Sequence, residues 1–545
     1  MMESPARAAH GCHSASAGDG QPSGRTIFDA FEDAVALAPD KIAVVAGAVR
    51  WTYGDLAAKV DLLAAHLVRL GVVPGDVISV QLPNWAEFAV IYLAAARVGA
   101  VINTLLPIYR AKELGYILKF ARTKLVFVPG VFRKFDYRRL YRELRPQLPD
   151  LQAVVVVGGE CPDDMLDFAV LQTRVEHTVP RLAVRGDELA ALIFTSGTES
   201  SPKGVVHTHD TMNFGNRSVS NLLGLTSEEI IWAVSPVGHA TGMMWGVRLA
   251  IFLGARVVMQ EVWDPADAID LIELERCTFT TAATPFAAML LEQPGLQDRD
   301  LSCFGKFMCG GAAIPSMLGQ ALKEKIGVEL LPLWGMSEAF VSTLCGPDDP
   351  DEVRFGTDGK ALPGIEMAIF DAERARLLPP GEEGEIATRG PQVCKGYFND
   401  PERTAASFSP DGWLFSGDLG VIDERGYLRV LGRIKDIINR GGLKISAGEI
   451  EDMLLQHPKI GAVAIVGVPD TRLGEKACAC VIPRAEETVT LSDLVSLLKD
   501  CGVAAYKLPE YIALVEALPM TATGKVQKFK LRADLVSGLL PMSAT

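Results

Sequence analysis

Several features that mark common protein classes are absent from the sequence or scarce in it. Its ten cysteines are scattered without the paired spacing of a zinc site, and only Cys478 and Cys480 lie two residues apart. This pattern favours buried free thiols in a reducing cytoplasm over a metal site or a disulfide framework. Lysine and arginine number 53 against 67 aspartates and glutamates, which gives a net charge of -14. Because nucleic acids and anionic membranes are bound through basic surfaces, we expect neither as a partner.

The sequence also lacks a long uninterrupted apolar run. Residues 87–109 come nearest, but Arg97 and Asn103 interrupt them, so they predict a core helix followed by a strand rather than a membrane span. The first 25 residues are rich in alanine, serine, glycine and proline, with little arginine and no apolar core of a signal peptide. We therefore expect residues 1–25 to form a disordered tail, and the protein to be cytoplasmic without integral membrane association.

Helix and strand patterns alternate along most of the chain. Residues 27–37 are amphipathic at helical spacing, residues 77–80 form a strand pattern, and residues 86–98 form another helical pattern. Such alternation predicts sheets covered by helices. The length of 545 residues is sufficient for two or more domains.

The pattern changes near residue 430. Two helical stretches, 447–456 and 491–499, alternate with two strand-like stretches, 462–468 and 477–482. The sequence therefore predicts an α/β protein with a large N-terminal domain of mixed sheets covered by helices, over residues 26–433. A small α+β C-terminal domain is expected over residues 434–545.

The stretch FTSGTESSPKGVVHT at residues 194–208 is rich in hydroxyl side chains and glycine. Apolar residues 190–194 predict a strand before it, and the loop contains residues that exclude a helix (Gly197, Pro202 and Gly204). Hydroxyls and free backbone N–H groups favour an anion, and Lys203 adds a positive charge, so a phosphate is the expected ligand. A Walker loop does not fit, because Pro202 precedes the lysine and no helix follows. An ordinary polar hairpin turn remains the alternative.

Four further polar clusters have simple structural alternatives when each is taken singly. WGMSEA at 334–339 could be a helix cap, and WLFSGDLG at 413–420 could hold Asp418 in a glycine-flanked turn. GRIKD at 432–436 could be a solvated charged turn, and TATGKVQK at 521–528 could be a polar loop. Their combination and order carry more information than any one of them.

The five stretches in this order resemble the signatures of the adenylate-forming superfamily, which includes acyl-CoA synthetases, peptide-synthetase adenylation domains and luciferases. The resemblance covers residues 26 to 531. It implies a mobile C-terminal domain, with the active site between the two domains. Such enzymes join a carboxylic acid to ATP as an acyl-adenylate and release pyrophosphate; a thiol such as coenzyme A then displaces AMP. The resemblance thus implies ATP, Mg²⁺ and CoA as cofactors or co-substrates.

The resemblance also implies roles for individual residues in binding ATP. The loop over the outer phosphates corresponds to Thr195, Ser196, Gly197, Thr198 and Lys203. Glu338 corresponds to the catalytic carboxylate that holds Mg²⁺, in a motif that also supplies nucleotide contacts (Trp334, Gly335 and Ser337). The segment beside the adenine corresponds to Gly310, Gly311 and Ala312. Asp418 corresponds to the residue that binds the ribose hydroxyls, and Arg433 to a second ribose or phosphate contact.

Other residues correspond to the moving parts and to the acyl site. Lys525 matches the catalytic lysine of the adenylation step, and Lys435 matches the hinge. The loop carried into the site for the thiol step corresponds to Gly441, Gly442 and Lys444. His239 matches a position that gates the thiol channel or borders the acyl pocket, and a buried histidine satisfied by the backbone is the alternative.

The sequence departs from the family pattern at Glu199 and Ser200, where a hydroxyl residue and a glycine are usual, and at Met520, where a basic residue is common. Residues 240–245 (ATGMMW), together with Phe340 and Val341, predict an apolar acyl pocket and no partner for an α-amino group. These features, and the glutamate in the phosphate loop, resemble medium-chain and cyclohexanecarboxylate–CoA ligases. With no carrier domain after Lys530, we expect an acid–CoA ligase for a medium-chain fatty, alicyclic or aryl acid. An acyl-AMP ligase that loads a carrier protein and a non-catalytic nucleotide-binding member remain the alternatives.

Overall fold

A computed structural model describes residues 24–175, 179, 182–195, 202–311, 314–520 and 526–544. The α-helices within these ranges are α1 (Ile27–Leu37), α2 (Tyr53–Arg69), α3 (Glu87–Arg97), α4 (Ala111–Phe120), α5 (Tyr137–Leu144), α6 (His209–Leu223), α7 (Leu249–Leu253), α8 (Pro265–Glu275), α9 (Thr284–Leu291), α10 (Ser316–Ile326), α11 (Asp351–Arg354), α12 (Pro401–Ser407), α13 (Ala447–Leu454), α14 (Leu491–Asp500) and α15 (Lys528–Ser537). Residues Gly242–Arg248, directly before α7, form a π-helix.

The strands of the large domain are β1 (Ile42–Ala46), β2 (Val49–Thr52), β3 (Val77–Val80), β4 (Val101–Thr104), β5 (Leu125–Pro129), β6 (Val131–Phe132), β7 (Phe135–Asp136), β8 (Ala153–Val157), β9 (Leu166–Asp167), β10 (Leu189–Thr195), β11 (Lys203–Thr208), β12 (Ile230–Ala233), β13 (Arg256–Met259), β14 (Phe279–Ala282), β15 (Lys306–Gly310), β16 (Glu329–Met336), β17 (Phe340–Leu344), β18 (Lys360–Ala361), β19 (Glu366–Phe370), β20 (Gly384–Arg389), β21 (Leu414–Ile422) and β22 (Leu428–Arg433). The small domain contributes β23 (Ile438–Arg440), β24 (Leu443–Ile445), β25 (Ile460–Asp470), β26 (Gly474–Pro483) and β27 (Tyr511–Leu514).

Two large sheets form the framework of the N-terminal domain. The seven-stranded sheet has the order β11-β10-β4-β3-β5-β8-β9, parallel except for the edge strand β11. The nine-stranded sheet has the order β18-β17-β16-β15-β14-β12-β13-β1-β2, with a parallel centre and antiparallel ends. Both phosphate-motif hairpins, β10–β11 and β16–β17, therefore lie towards the ends of these sheets, where strands reverse direction.

A third sheet of four antiparallel strands, β19 to β22, leads to the small domain. The small domain has its own sheet in the order β24-β23-β26-β25, with β27 paired in parallel to β26. It also has its own core, in which Ile450 and Leu494 of α13 and α14 pack on strand residues such as Ile465 and Val481. The predicted α/β architecture, with a large mixed domain and a small α+β domain, is confirmed.

The apolar run at residues 87–109 forms a buried helix followed by a strand, as predicted. It comprises α3 and β4, and α3 lies in a core cluster that also receives side chains from both large sheets, such as Phe127 and Val257. Within the described ranges, no helix is long and apolar enough to cross a membrane. Cys478 and Cys480 share one buried face of β26, also as predicted.

Helix starts in the large domain follow local capping rules. Thr26, Thr52 and Thr208 each accept a hydrogen bond from a backbone N–H three residues on, which satisfies an otherwise orphaned donor at the start of α1, α2 and α6. The predicted helix at residues 27–37 is confirmed with the same bounds. Of the tail expected at residues 1–25, residues 1–23 lie outside the described ranges. Gly24 contacts Asp210 and Arg25 contacts Asp33 of the large domain.

Candidate active site

Three side chains from distant parts of the chain meet at the candidate phosphate site. The Lys203 ammonium lies 2.5 Å from Glu338 Oε1 and donates to the hydroxyl of Tyr397 at 2.9 Å. The Tyr397 hydroxyl in turn donates to the same Glu338 oxygen at 3.0 Å. Glu338 is only 3% exposed, so this carboxylate is held in a buried and fully engaged position.

The backbone explains how these residues meet. Lys203 opens β11 directly opposite Thr195, the last residue of β10. Glu338 lies in the tight turn between β16 and β17, and the Cys394 N–H donates to its carbonyl. Tyr397 is paired with Val205 of β11 through an isolated β-bridge. The alternative that WGMSEA caps a helix is wrong, because β17 and not a helix follows the turn.

The ionisation of this cluster follows from burial and neighbouring charge. Burial alone would lower the pKa of Lys203, but the adjacent Glu338 carboxylate and Tyr397 hydroxyl outweigh it, and the pKa is raised. Burial and the Glu338 charge raise the pKa of Tyr397 to about 12. Lys203 is therefore an ammonium and Tyr397 a neutral hydroxyl at physiological pH.

His207 contacts the β16–β17 turn, and the sequence analysis did not identify it as a site residue. Its Nε2–H donates to the carbonyl of Ser337 at 2.7 Å, and its ring stacks on Phe340 with centroids 4.0 Å apart. Burial lowers the pKa of His207 to about 4, so the ring is neutral. Tyr397 was missed as well. The sequence shows only an aromatic residue 194 positions from Lys203, and no spacing rule links the two.

The candidate ribose site is built on β16, β21 and β22. Asp418 pairs with Arg433 across the two strands, with Arg433 Nε 3.2 Å from Asp418 Oδ1. The indole N–H of Trp334 donates to the other carboxylate oxygen at 3.0 Å. Asp418 lies within an irregular strand and not in a simple turn, so the turn alternative is wrong. Because Trp334 lies on β16 and Glu338 in the turn that follows this strand, β16 connects both parts of the candidate site.

Two glycines are required for close backbone packing in this region. A Cβ on Gly310, at the end of β15, would lie 2.6 Å from the Leu333 side chain and 2.7 Å from its carbonyl. A Cβ on Gly335 would lie 1.9 Å from the Phe340 carbonyl, inside the β16–β17 turn. Gly311 has a φ of 87°, in the region that favours glycine.

Several predicted site residues lie outside the described ranges: Ser196, Gly197, Thr198 and Ala312, together with the catalytic candidate Lys525. Thr195 directly precedes the undescribed residues 196–201, and its buried hydroxyl has no hydrogen-bond partner among the described residues. On either side of the undescribed residues 521–525, Met520 and Val526 are joined by an isolated antiparallel β-bridge.

The predicted hinge and thiol-step residues belong to the small domain. Lys435 lies in a single 3-10 turn, Ile434–Asp436, between β22 and β23. Gly441 and Gly442 form the tip of the β23–β24 hairpin with φ angles of 61° and 89°, and Lys444 follows in β24. These four residues are exposed. The Gly441 N–H donates to the Leu473 carbonyl, and the Gly442 N–H donates to the side-chain oxygen of Asn439, both within the small domain.

His239 and the predicted acyl wall lie at the π-helix. His239 is half-buried, and its Nδ1 accepts a hydrogen bond from the Thr241 N–H at 3.2 Å. Met244 and Trp245 are buried in the π-helix and face Gly215 of α6, where an added Cβ would lie 3.1 Å and 3.8 Å from their side chains. π-Helical turns recur at functional sites, because the wide turn redirects side chains.

Matches to the models of known protein families show which family the chain belongs to. The model of the AMP-binding enzyme family matches residues 31–398, and that of the AMP-binding enzyme C-terminal domain matches residues 449–525. The chain is an AMP-binding enzyme. The first match includes Lys203, Glu338 and Tyr397, the three residues of the observed cluster.

Curated relatives of this AMP-binding enzyme include ligases of two kinds. It is 40% identical to the medium-chain fatty-acid–CoA ligase of Escherichia coli strain K12 over 94% of this chain and 91% of the relative. It is 34% identical to the 2,3-dihydroxybenzoate-AMP ligase of Bacillus subtilis strain 168 over 95% of each chain. Among solved structures, ATP-bound MatB from Rhodopseudomonas palustris has a TM-score of 0.84 at 28% identity, over 93% of this chain and 99% of that one.

A further solved structure is that of the anthranilate CoA ligase AuaEII in complex with anthranoyl-AMP. Its TM-score is 0.88 at 25% identity, over 95% of this chain and 99% of that one. The AMP-binding enzyme described here therefore binds ATP and activates a carboxylic acid by adenylate formation.

Proposed function

We propose that the protein is an ATP-dependent acid–CoA ligase, which forms an acyl-AMP from a medium-chain fatty, alicyclic or aryl acid and transfers the acyl group to CoA. The observation that carries the proposal is the cluster of Lys203, Glu338 and Tyr397. The cluster brings together a cation that can bind phosphate and a buried carboxylate that can hold the metal ion of a nucleotide.

Residues of the large domain are proposed to bind the nucleotide. The loop from Thr195 to Lys203 covers the outer phosphates, Asp418 accepts hydrogen bonds from the ribose, and Gly310 and Gly311 let the backbone approach the adenine. The contacts of Asp418 with Trp334 and Arg433 support its role at the ribose, because they fix the direction of the carboxylate. Lys203 has to leave Glu338 for phosphate when ATP arrives, and the exchange replaces one charge-assisted contact with another.

The donor set fits Mg²⁺, which supplies charge neutralisation on the phosphates when it is bound. Magnesium prefers oxygen ligands and is commonly held by one carboxylate together with phosphates of the substrate. Glu338 is proposed as that carboxylate. Over the described residues, no group of three or more His, Cys, Asp or Glu side chains that could hold a metal ion occurs. Phosphate oxygens and water are the other ligands that Mg²⁺ commonly takes.

The second half-reaction is assigned to the small domain. We propose that residues 434–545 form a mobile lid on residues 26–433, with Lys435 at the hinge. Lys525 stabilises the charge that develops between the acid and the α-phosphate in the first step. After rotation of the lid, Gly441, Gly442 and Lys444 line the path of the thiol, with His239 at its inner end.

The acceptor and the acid are inferred from the wall of the cleft and from the relatives. Met244, Trp245 and Phe340 are buried and apolar, which favours an aliphatic chain or a ring. The 40% identical relative is a medium-chain fatty-acid–CoA ligase. An aryl acid–AMP ligase that serves a carrier protein is the second candidate, since a 34% identical relative is a 2,3-dihydroxybenzoate-AMP ligase.

A substrate screen tests the proposal. Pyrophosphate release is measured with acids from C2 to C18, alicyclic and aromatic acids, and amino acids, each with and without CoA. We expect turnover with apolar acids, stimulation by CoA, and the mass of an acyl-CoA product. Acid-dependent pyrophosphate release without any acyl-CoA would favour the carrier-protein ligase. Absence of acid-dependent release would leave only nucleotide binding, and turnover confined to acetate or amino acids would overturn the proposed acid class.

A further inference from the structure

Within the described residues, two arginine side chains are almost completely buried, and their partners differ in charge. Arg354 is 4% exposed and lies 2.5 Å from Asp351 and 3.4 Å from Glu329. Arg248 is fully buried, and donates to the hydroxyl of Tyr92 at 2.9 Å and to the side-chain oxygen of Asn213. No described carboxylate forms an ion pair with Arg248.

Tyr92 and Asn213, the side chains that accept hydrogen bonds from Arg248, carry no compensating charge. Burial raises the pKa of Tyr92, so its hydroxyl stays neutral. Burial, reinforced by the Arg248 charge, lowers the pKa of His209 to about 3, so this ring is neutral as well. Asn213 does not ionise. Arg248 therefore keeps a positive charge in the interior that its hydrogen-bond partners do not cancel, although an unpaired buried charge is costly.

This charge lies on the same π-helix as the predicted acyl wall, and both pack against α6. Arg248 is the last residue of the π-helix, four positions after Met244, whose carbonyl accepts from Asn216 Nδ2 at 3.1 Å. The same charge assists burial in lowering the pKa of His207. His207 in turn donates to the Ser337 carbonyl, next to Glu338, so Arg248 and Glu338 act on this ring in opposite directions.

We propose that Arg248 is a specificity-determining residue, whose buried charge favours a carboxylate over a neutral group of the same shape in the acyl cleft. Direct contact is unnecessary, because two charges about 10 Å apart at an effective dielectric of about 20 still change binding by about ten-fold. Adenylation converts the carboxylate into a neutral acyl group, so the attraction applies to the free acid and not to the acyl part of the adenylate. The inference rests on the proposed acid site but not on the identity of the thiol acceptor.

The sharpest test neutralises the charge without removing it. Asn213→Asp provides a carboxylate for Arg248, and acid-dependent pyrophosphate–ATP exchange then gives the KM for the acid. We expect this KM to rise about ten-fold. The inhibition constant of the corresponding primary amide, a neutral group of the same shape, should stay unchanged. Thermal unfolding should occur at the wild-type temperature or above, because the buried charge becomes paired.

Arg248→Met and Arg248→Lys provide an independent comparison, with Arg354→Met as the matched control for loss of a buried arginine. The lysine variant should retain wild-type acid affinity, the methionine variant should lose about ten-fold, and the Arg354 variant should bind the acid normally. If the binding of the acid and the binding of the amide weaken equally, only the shape of the pocket has changed, and the proposal is overturned. Unchanged acid affinity in Asn213→Asp or Arg248→Met would overturn it as well. If the protein does not activate acids, the wild type itself will show no acid-dependent exchange. This outcome is therefore distinguished from a failure of the proposal for Arg248.

Discussion

Tyr397 is the residue whose hydroxyl contacts both charged groups of the candidate active site, Lys203 and Glu338. Tyr397→Phe keeps the ring and removes the contacts to Lys203 and Glu338. We expect acid-dependent pyrophosphate release to fall about ten-fold, since a hydrogen bond to a charged group contributes roughly 1.5–3 kcal/mol and part of this is regained through water. Steady-state kinetics with varied ATP measure the effect.

Tyr141→Phe is the matched control for this prediction. The Tyr141 hydroxyl donates to Gln81 at 2.9 Å in the core of the large domain. Its loss should lower the thermal stability to a similar extent and leave the catalytic rate unchanged. Equal rates in the Tyr397 variant and the wild type would remove Tyr397 from the site.

His207 makes stability depend on pH in a predictable direction. Its folded-state pKa of about 4 lies below the ordinary value of 6.5, so the unfolded chain binds the proton more readily between these values. This group therefore contributes stability above pH 6.5 that is lost as the pH falls towards 4, by roughly 3 kcal/mol in total.

Replacement of this ring tests the assignment. In His207→Asn, the thermal midpoint should fall less steeply between pH 6.5 and 4 than in the wild type, whatever its value at neutral pH. Differential scanning calorimetry at several pH values measures both slopes. Parallel slopes would mean that His207 is already protonated in the fold.

At the scale of secondary-structure elements, the β16–β17 turn determines where Glu338 lies. Gly335→Ala would put a Cβ 1.9 Å from the Phe340 carbonyl and force the turn apart. We expect loss of roughly 3 kcal/mol of stability and loss of pyrophosphate release, because Glu338 and Trp334 shift together. Chemical denaturation and the pyrophosphate assay report the two effects.

Gly305→Ala serves as the control, since an added Cβ at Gly305 meets no atom within 4 Å. This variant should retain wild-type activity and stability to within about 0.5 kcal/mol. If both glycine variants retained activity, the close packing of the turn would not be needed for the site.

Elements that depend on local sequence could be predicted, and those that depend on tertiary contacts could not. The helix at residues 27–37 and the strands around the phosphate loop follow from periodicity and capping, which are local properties. The placement of Asp418 in an irregular strand depends on pairing with Arg433, and the Lys203–Tyr397 contact depends on residues far apart in sequence. Such tertiary contacts leave no periodic signal, so motif resemblance found Lys203 and Glu338 but not Tyr397, His207 or Arg248.

On the scale of the whole molecule, the proposal assigns the two half-reactions to two positions of the small domain. Lys525→Ala should reduce acyl-AMP formation by about 10²–10³-fold, because a preorganised cation is lost. The same variant should convert supplied acyl-AMP to the thioester at nearly the wild-type rate. Separate assays of the two half-reactions measure this, and equal loss of both would contradict the two-position account.

The central claim is tested most directly by a single-turnover experiment with ATP, a medium-chain acid and excess enzyme. Before CoA is added, we expect one pyrophosphate per acyl-AMP bound to the enzyme and little free AMP. A chase with CoA should then produce acyl-CoA and AMP in equal amounts at the expense of the acyl-AMP. If the acyl-AMP persists after the chase, or if AMP is released without acyl-CoA, the assignment as an acid–CoA ligase is contradicted.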